Sequence, residues 1–383
     1  MAPRTAEAPT RASAARAFAA HFPDAAEPRV VFAPGRVNLI GDHIDYCGGT
    51  VLPMPIEQGT WVAAATNDSG GLRAVSLARE PSLAFPLDRP PRFADGHWGR
   101  FLQGAAAVLE ADGAPLTGAD VLVAGNIPCG GLSSSASLSV ALLMALDVRG
   151  DGGLAGLPLA RAAQRIEHEH VGVACGLMDQ AAVVLGEPGA ALEFSCATLA
   201  YRTVPMPEAE IAILVADSGV PRTLAGSAYN ERRDTLIRAA RLAGADFDRL
   251  ATILEPGRAF GDPELDQRVR HVTGEQARVE AACAAARAGD WPRFGRLLDA
   301  SHASLRDDYA VSCPALDRLA EAFRRQPGCY GARLTGAGFG GAVVAAVHPD
   351  AADACLAAVT AGLGADSRGV FRARSHGGAR RCE

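Results

Sequence analysis

Gly131-Leu-Ser-Ser-Ser-Ala-Ser137 stands between a loop and a helix, entered through Asn126-Ile-Pro-Cys-Gly130 and followed by the apolar run 138–146. Pro128, Gly130 and Gly131 rule out a regular element, whereas the serines suit a helix N-cap and the Ala/Leu/Met run after them suits a helix. A helix N-terminus presents unpaired N–H groups and the positive end of the helix dipole, so it favours a phosphate. Glycines allow close backbone approach, and the hydroxyls can bond phosphate or ligate magnesium. A capped helix needs only one serine, and this stretch has three in a row. It is not a Walker loop, which ends in Gly-Lys-Ser/Thr. The chain has no lysine at all, which removes lysine Schiff-base chemistry and lysine-dependent nucleotide sites.

Working outward, 29–33 reads as a strand that runs into Arg36-Val-Asn-Leu-Ile-Gly-Asp-His-Ile-Asp-Tyr46. Arg36, Asn38, Asp42, His43, Asp45 and Tyr46 crowd there between glycines, more hydrogen-bonding groups than a plain turn needs. They could bind a polyol, a metal or one another. Strands are expected over 51–65, 72–77, 119–124, 190–195, 211–217 and 343–347. Helices are expected over 97–109, 157–171, 275–298 and 313–325. Asp179, between Met178 and Ala181, sits in an apolar context where a free carboxylate is costly unless it is paired, capping or functional. Tyr229, Arg232 and Arg233 share or border a helix face, and no role for the two arginines follows from sequence. Gly331-Ala-Arg-Leu-Thr-Gly-Ala-Gly-Phe-Gly-Gly-Ala342 precedes a strand. It is therefore a tight glycine turn and not a Rossmann fingerprint, whose glycines must open a helix.

Length suggests two or three domains, and 49% hydrophobic content allows ordinary cores. A net charge of −6 without an arginine-rich stripe argues against a nucleic-acid partner, and no apolar run is long enough to span a membrane. Nine cysteines without a Cys-x-x-Cys pair point to neither a disulfide framework nor a zinc site, so a reducing cytoplasm is the expected location. Residues 1–20 are expected to form a short helix presenting Phe18 and Phe22 to the body, and 377–383 a disordered tail. The expected state is a monomer or weak homo-oligomer.

Taken together, Gly35-Arg-Val-Asn-Leu-Ile-Gly-Asp-His-Ile-Asp-Tyr46, Gly131-Leu-Ser-Ser-Ser-Ala136 and Leu334-Thr-Gly-Ala-Gly-Phe-Gly-Gly341 resemble the three motifs of the galactokinase branch of the GHMP kinases. The similarity extends through Gly176-Leu-Met-Asp-Gln180, Arg222-Thr-Leu-Ala-Gly-Ser-Ala-Tyr-Asn-Glu-Arg-Arg233 and Ser304-Leu-Arg-Asp-Asp-Tyr309. The resemblance implies an α+β, two-lobed fold, with lobes over 1–205 and 206–383 and the active site in the cleft between them. It implies ATP-dependent phosphorylation of the C1 hydroxyl of galactose, with sugar and ATP as small-molecule partners.

By the same resemblance Asp179 and Arg36 are the catalytic residues. Asp42, His43, Asp45 and Tyr229 hold sugar hydroxyls. Gly130, Gly131, Ser133, Ser134 and Ser135 cradle the ATP phosphates, Trp98 borders the adenine, and Ser135 and Glu167 contribute to a magnesium shell. A carboxylate beside Arg36 is a weak base toward a sugar hydroxyl, so orientation with late proton transfer is the expected role.

The chain departs from the family at Gly41-Asp-His-Ile-Asp-Tyr-Cys47, where galactokinases commonly read Gly-Glu-His-Thr-Asp-Tyr-Asn; Ile44 and Cys47 resemble N-acetylgalactosamine kinases. Asp42 is one methylene shorter than Glu, which leaves space near the sugar C6 hydroxyl. The rival readings are a kinase for N-acetylgalactosamine, galacturonate or a C6-modified galactose, and a non-catalytic sugar/ATP sensor.

Overall fold

The computed structural model describes residues 9–128, 130–220, 225–364 and 369–382. In chain order the first half runs α1 (Arg11–His21), β1 (Arg29–Asn38), β2 (Thr50–Val51), β3 (Pro53–Thr66), β4 (Gly71–Ser76), β5 (Leu83–Pro86), α2 (Gly99–Ala111), β6 (Ala119–Gly125), α3 (Ser134–Leu146), α4 (Gly156–Arg165), α5 (Met178–Leu185), β7 (Ala190–Ser195) and β8 (Tyr201–Pro205). The second half runs β9 (Ala212–Asp217), α6 (Ala225–Ala243), α7 (Leu250–Ile253), α8 (Pro263–Arg287), α9 (Trp291–Asp307), α10 (Pro314–Arg324), β10 (Cys329–Thr335), β11 (Ala342–Val347), α11 (Ala352–Ala361), β12 (Val370–Ala373) and β13 (Arg380–Cys382).

Among the described residues three sheets result, ordered β13-β1-β3-β6-β4-β5, β10-β11-β9-β12 and β2-β7-β8. All pairings are antiparallel except β4 with β6. The period-two alternation of a strand separates the faces of the first sheet. Val31, Ala33, Val62, Ala64, Val121 and Val123 join the core beneath α2, α3 and α4. Val30, Ala63, Ala65, Leu122 and Ala124 meet Ala14 and Phe18 of the N-terminal helix and Phe22 just past its end. That helix starts with a reciprocal capping box between Thr10 and Ser13, as its expected docking by Phe18 and Phe22 requires. A third core runs from Val37 through Ile44 and Met54 to β9, β11 and α8–α10, joining the two halves of the chain.

Several sequence expectations are corrected. The tail is not disordered: Arg380–Cys382 adds an edge strand, with Val30 opposite Cys382 and Phe32 opposite Arg380. The helical stretch expected over 275–298 comprises parts of two helices. One starts at Pro263 behind the Asp262 cap, and the chain turns at Gly289 (φ 68°) before Asp290 caps the next. The helix expected over 157–171 ends at Arg165 and continues as a π-helical turn, Ile166–Val171. The start of the 222–233 helix lies partly outside the described residues. Among the described residues no helix is long and apolar enough to cross a membrane.

Candidate active site

Strand β1 shifts register between Pro34 and Gly35. At Gly35 a Cβ would stand 2.8 Å from the Leu132 carbonyl oxygen, so only glycine lets β1 press against the serine loop. The next residue uses that proximity: Arg36 N–H donates to Leu132 O (3.2 Å) and its Nη1 to Gly131 O (2.6 Å). Nε and Nη2 of Arg36 both donate to Oδ1 of Asp179, at 2.8 and 2.5 Å. Asp179 therefore does not cap α5, whose N-cap position is Leu177. Its Oδ2 has no hydrogen bond among the described residues, and its side chain is a quarter exposed, whereas Arg36 is 4% exposed.

The serine loop is not the side-chain-capped helix start that the sequence suggested. Ser133 occupies the N-cap position in left-handed backbone (φ 58°) and makes no side-chain cap. Its buried Oγ has no partner among the described residues. The first bond of the turn is Ser137 N–H to Ser133 O, so the N–H groups of Ser134, Ser135 and Ala136 precede it. An uncapped terminus of this kind keeps its donors for a ligand.

Two cavities meet at this loop. The smaller, about 300 Å³, is lined by Arg36, Asp42, His43, Asp45, Glu167, Asp179 and Tyr229. The larger, about 1220 Å³, is lined by Trp98, Phe101, Leu138 and Asp217. Gly130, Ser134 and Ser135 belong to both, while Gly131 and Ser133 face the smaller. Trp98 is almost buried, and its indole N–H donates to Pro81 O (3.2 Å).

The turn after β1 carries the polar groups of the smaller cavity. Asp42 Oδ1 accepts from Gly336 N–H (3.1 Å) and Oδ2 from Arg333 (2.5 Å). His43, at φ 65°, has Nε2 against the Ala337 carbonyl (3.1 Å), which can only accept, so Nε2 carries the proton. Nδ1 then accepts from Tyr46 O–H (3.1 Å), which in turn accepts from Tyr309 (2.7 Å). The Tyr229 ring lies 5.5 Å from His43 and 5.3 Å from Tyr46. Burial raises the Tyr46 and Tyr229 phenols well above their ordinary range, so both remain protonated.

Asp45 is pushed up to about 7, first by burial and then by the charges of Asp179 and Asp42. Gly176 packs on it, where a Cβ would fall 2.1 Å from Asp45 Oδ2 and 2.9 Å from its backbone carbon. Gly176→Ala is therefore expected to destabilise the protein by about 1–3 kcal/mol, read as a lower urea midpoint. An unchanged midpoint would show that the contact is relieved without cost.

Glu167 enters from the π-helical turn, a local widening often found at functional sites. It accepts from Gln180 Nε2 (2.7 Å) and from Ser135, and burial, followed by the Asp179 charge, pushes it up to about 7.

Sequence reasoning missed the side chains that hold this turn from beneath. His271 Nε2–H donates to Asp42 O (3.1 Å), and burial pushes the ring down to about 4. Glu275 Oε1 accepts from Gly41 N–H (3.0 Å) and Ser301 O–H (2.6 Å). Arg232, left without a role by sequence, donates to Tyr309 O (3.0 Å) and Ala310 O (3.2 Å), bracing the helix that carries Tyr229. The one available signal was Arg333, an arginine inside an apolar strand pattern, which demands a buried counter-charge.

Residues 16–66 match a family model described as the galactokinase galactose-binding signature. Residues 100–187 and 281–365 match the GHMP kinase N-terminal and C-terminal domain models. A galactokinase of Chloroflexus aggregans is 43% identical over 342 residues, 87% of each chain. That of Bos taurus is 42% identical over 353 residues, 89% of each. The crystal structure of Lactococcus lactis galactokinase complexed with galactose superposes with a TM-score of 0.90 at 34% identity, covering 97% of this chain and 99% of that one.

Proposed function

The chain belongs to the galactokinase family of the GHMP kinases, and from that premise we propose how its own residues serve the reaction. It is an ATP-dependent sugar kinase that phosphorylates galactose at the C1 hydroxyl. The observation that carries the residue assignment is the Arg36–Asp179 pair, set where the sugar-sized cavity adjoins the loop it shares with the larger cleft.

Galactose occupies the smaller cavity, with Asp45 accepting from its hydroxyls and Tyr229 and His43 forming a polar-edged aromatic wall. ATP occupies the larger cleft, with its adenine beside Trp98 and its phosphates at Gly130, Gly131 and Ser133–Ser135, where the N–H groups ahead of the first helical bond and the Ser133 hydroxyl, without a partner among the described residues, await them. Phosphoryl transfer asks mainly for alignment and for neutralisation of oxyanion charge. Asp179 orients the C1 hydroxyl through Oδ2 and takes its proton as the O–P bond forms. Arg36, fixed at three points by Asp179 and Gly131, presents its charge to the transferring group.

Magnesium fits Ser135 and Glu167, hard oxygen donors already in contact with each other, of which the carboxylate has no guanidinium partner at hydrogen-bonding distance among the described residues. Bound there, the ion supplies neutralisation of phosphate oxygens. The division into lobes near residue 205 is supported by the two larger sheets, which draw their strands from either side of it, with β13 returning to the first.

The test is ATP consumption with magnesium across galactose, N-acetylgalactosamine, 2-deoxygalactose, galacturonate and glucose. Galactose is expected to give the highest kcat/KM. Preference for another sugar would move the assignment to the Asp42–Cys47 departures, and sugar binding without turnover would reduce the chain to a sensor.

A further inference from the structure

Asp42 and Arg333 form a fully enclosed ion pair, with side chains 3% and 0% exposed. Both carboxylate oxygens have donors without any sugar: Arg333 Nη2 at 2.5 Å and Gly336 N–H at 3.1 Å. The same guanidinium donates through Nη1 to Leu39 O (3.0 Å) and Asn38 O (3.4 Å). One residue further along, His43 donates to Ala337 O. The turn that carries Asp42, His43 and Asp45 is thereby tied to the glycine-rich turn at 336–337, and both turns line the sugar-sized cavity.

Resting on the galactokinase reading, we infer that Arg333 is a positioning residue for sugar phosphorylation, and that Asp42 serves as its partner and not as the ligand of the sugar C6 hydroxyl. A buried carboxylate that depends on a substrate hydroxyl is left unpaired by the analogue lacking it, and such sites reject the analogue by roughly 10⁴–10⁵-fold. Asp42 is not left unpaired by a 6-deoxy sugar, because Arg333 and Gly336 already satisfy it. The shorter side chain has exchanged reach toward the sugar for a fixed contact between the two turns.

The test compares galactose with 6-deoxygalactose on the wild type, Asp42→Asn, Arg333→Gln and the double variant, measuring calorimetric affinity beside kcat and KM. The wild type is expected to disfavour 6-deoxygalactose by less than about 100-fold, far below the rejection typical of a hydroxyl-reading site. Each single variant is expected to raise KM for both sugars by one common factor, roughly tenfold, with kcat less affected. The double variant should be no worse than either, because both changes remove the same contact.

Breaking half of a buried pair can prevent folding. The double variant, which removes both charges, and the wild-type comparison then carry the test. Wild-type rejection of 6-deoxygalactose by about 10⁴-fold would overturn the inference, as would an Asp42→Asn enzyme that loses discrimination while Arg333→Gln keeps it. Failure of the wild type to bind either sugar would instead overturn the galactokinase reading itself, an outcome distinct from unequal binding of the two.

Discussion

Asp179→Asn is expected to lower kcat with galactose by roughly 10²–10⁴-fold, the range for loss of a positioned proton acceptor, while galactose affinity changes little. The substitution preserves shape. An asparagine oxygen can still accept from Arg36, as Oδ1 does now at 2.8 and 2.5 Å. Its amide would then stand where Oδ2 faces the cavity, a donor in place of an acceptor, and it can neither orient the C1 O–H nor receive its proton.

Because the transition state of phosphoryl transfer is loose and asks little of a base, the lower part of that range is the more natural expectation if orientation is the main contribution. Affinity should survive because the remaining groups around the cavity, Asp45, His43 and Tyr229, are untouched. The measurement is steady-state ATP consumption beside calorimetric titration of galactose, with thermal unfolding to verify the fold. A kcat within tenfold of wild type would remove Asp179 from the chemistry. An equal loss of affinity would make it a binding group instead.

The sequence carried much of this arrangement, and its failures have a physical pattern. The serine loop, the polar turn after β1 and the glycine turn before β11 were legible because each concentrates residue types that ordinary turns do not need. Strands β1, β3, β4 and β6 of the first sheet were legible from their apolar, β-branched composition, whereas the short β5 was not read. The edge strand Arg380–Cys382 was not, because three residues, two of them arginines, have no period to read, and the partner strand at Val30–Phe32 gives them their place.

The capping role of the serines was misjudged for a related reason. Composition says that a serine is present at a helix start but not whether its backbone is left-handed, as Ser133 is. The polar residues beneath the site were missed on different grounds. His271, Glu275 and Ser301 lie on helices, spaced as ordinary surface groups would be, and what makes them structural is that α8 and α9 bury them against Gly41 and Asp42. Such long-range pairings leave no mark in a local window.

Glu275 is also where a large effect on stability is expected. Glu275→Ala should cost about 3–5 kcal/mol near pH 7, the scale for removing one partner of a buried ion pair, against a total stability of roughly 5–15 kcal/mol. The carboxylate is fully buried, pairs with Arg278 at 2.7 Å, and receives Gly41 N–H and Ser301 O–H. Burial alone would raise its pKa, but the charges around it, Arg278 foremost, and the Ser301 hydroxyl outweigh burial and hold it down at about 2 against an ordinary 4.5.

A carboxyl depressed on folding contributes stability that is complete above its unfolded pKa and lost as pH falls through the folded value. The difference between wild type and Glu275→Ala, measured by urea unfolding, is therefore expected to narrow as pH drops from about 4.5 toward 2. His271, held neutral by burial down to about 4, adds a loss between about 6.5 and 4 in the wild type, and it deepens in the variant, where the Glu275 charge that favours the protonated ring is gone. A difference that stays constant down to pH 3, or one below about 1 kcal/mol at neutral pH, would mean that the Glu275 charge is not stabilising the fold. Because Gly41 N–H opens the turn that presents Asp42, His43 and Asp45, the variant should also raise KM for galactose more than it lowers kcat. A loss confined to stability would separate the anchor of the turn from the geometry of the sugar site.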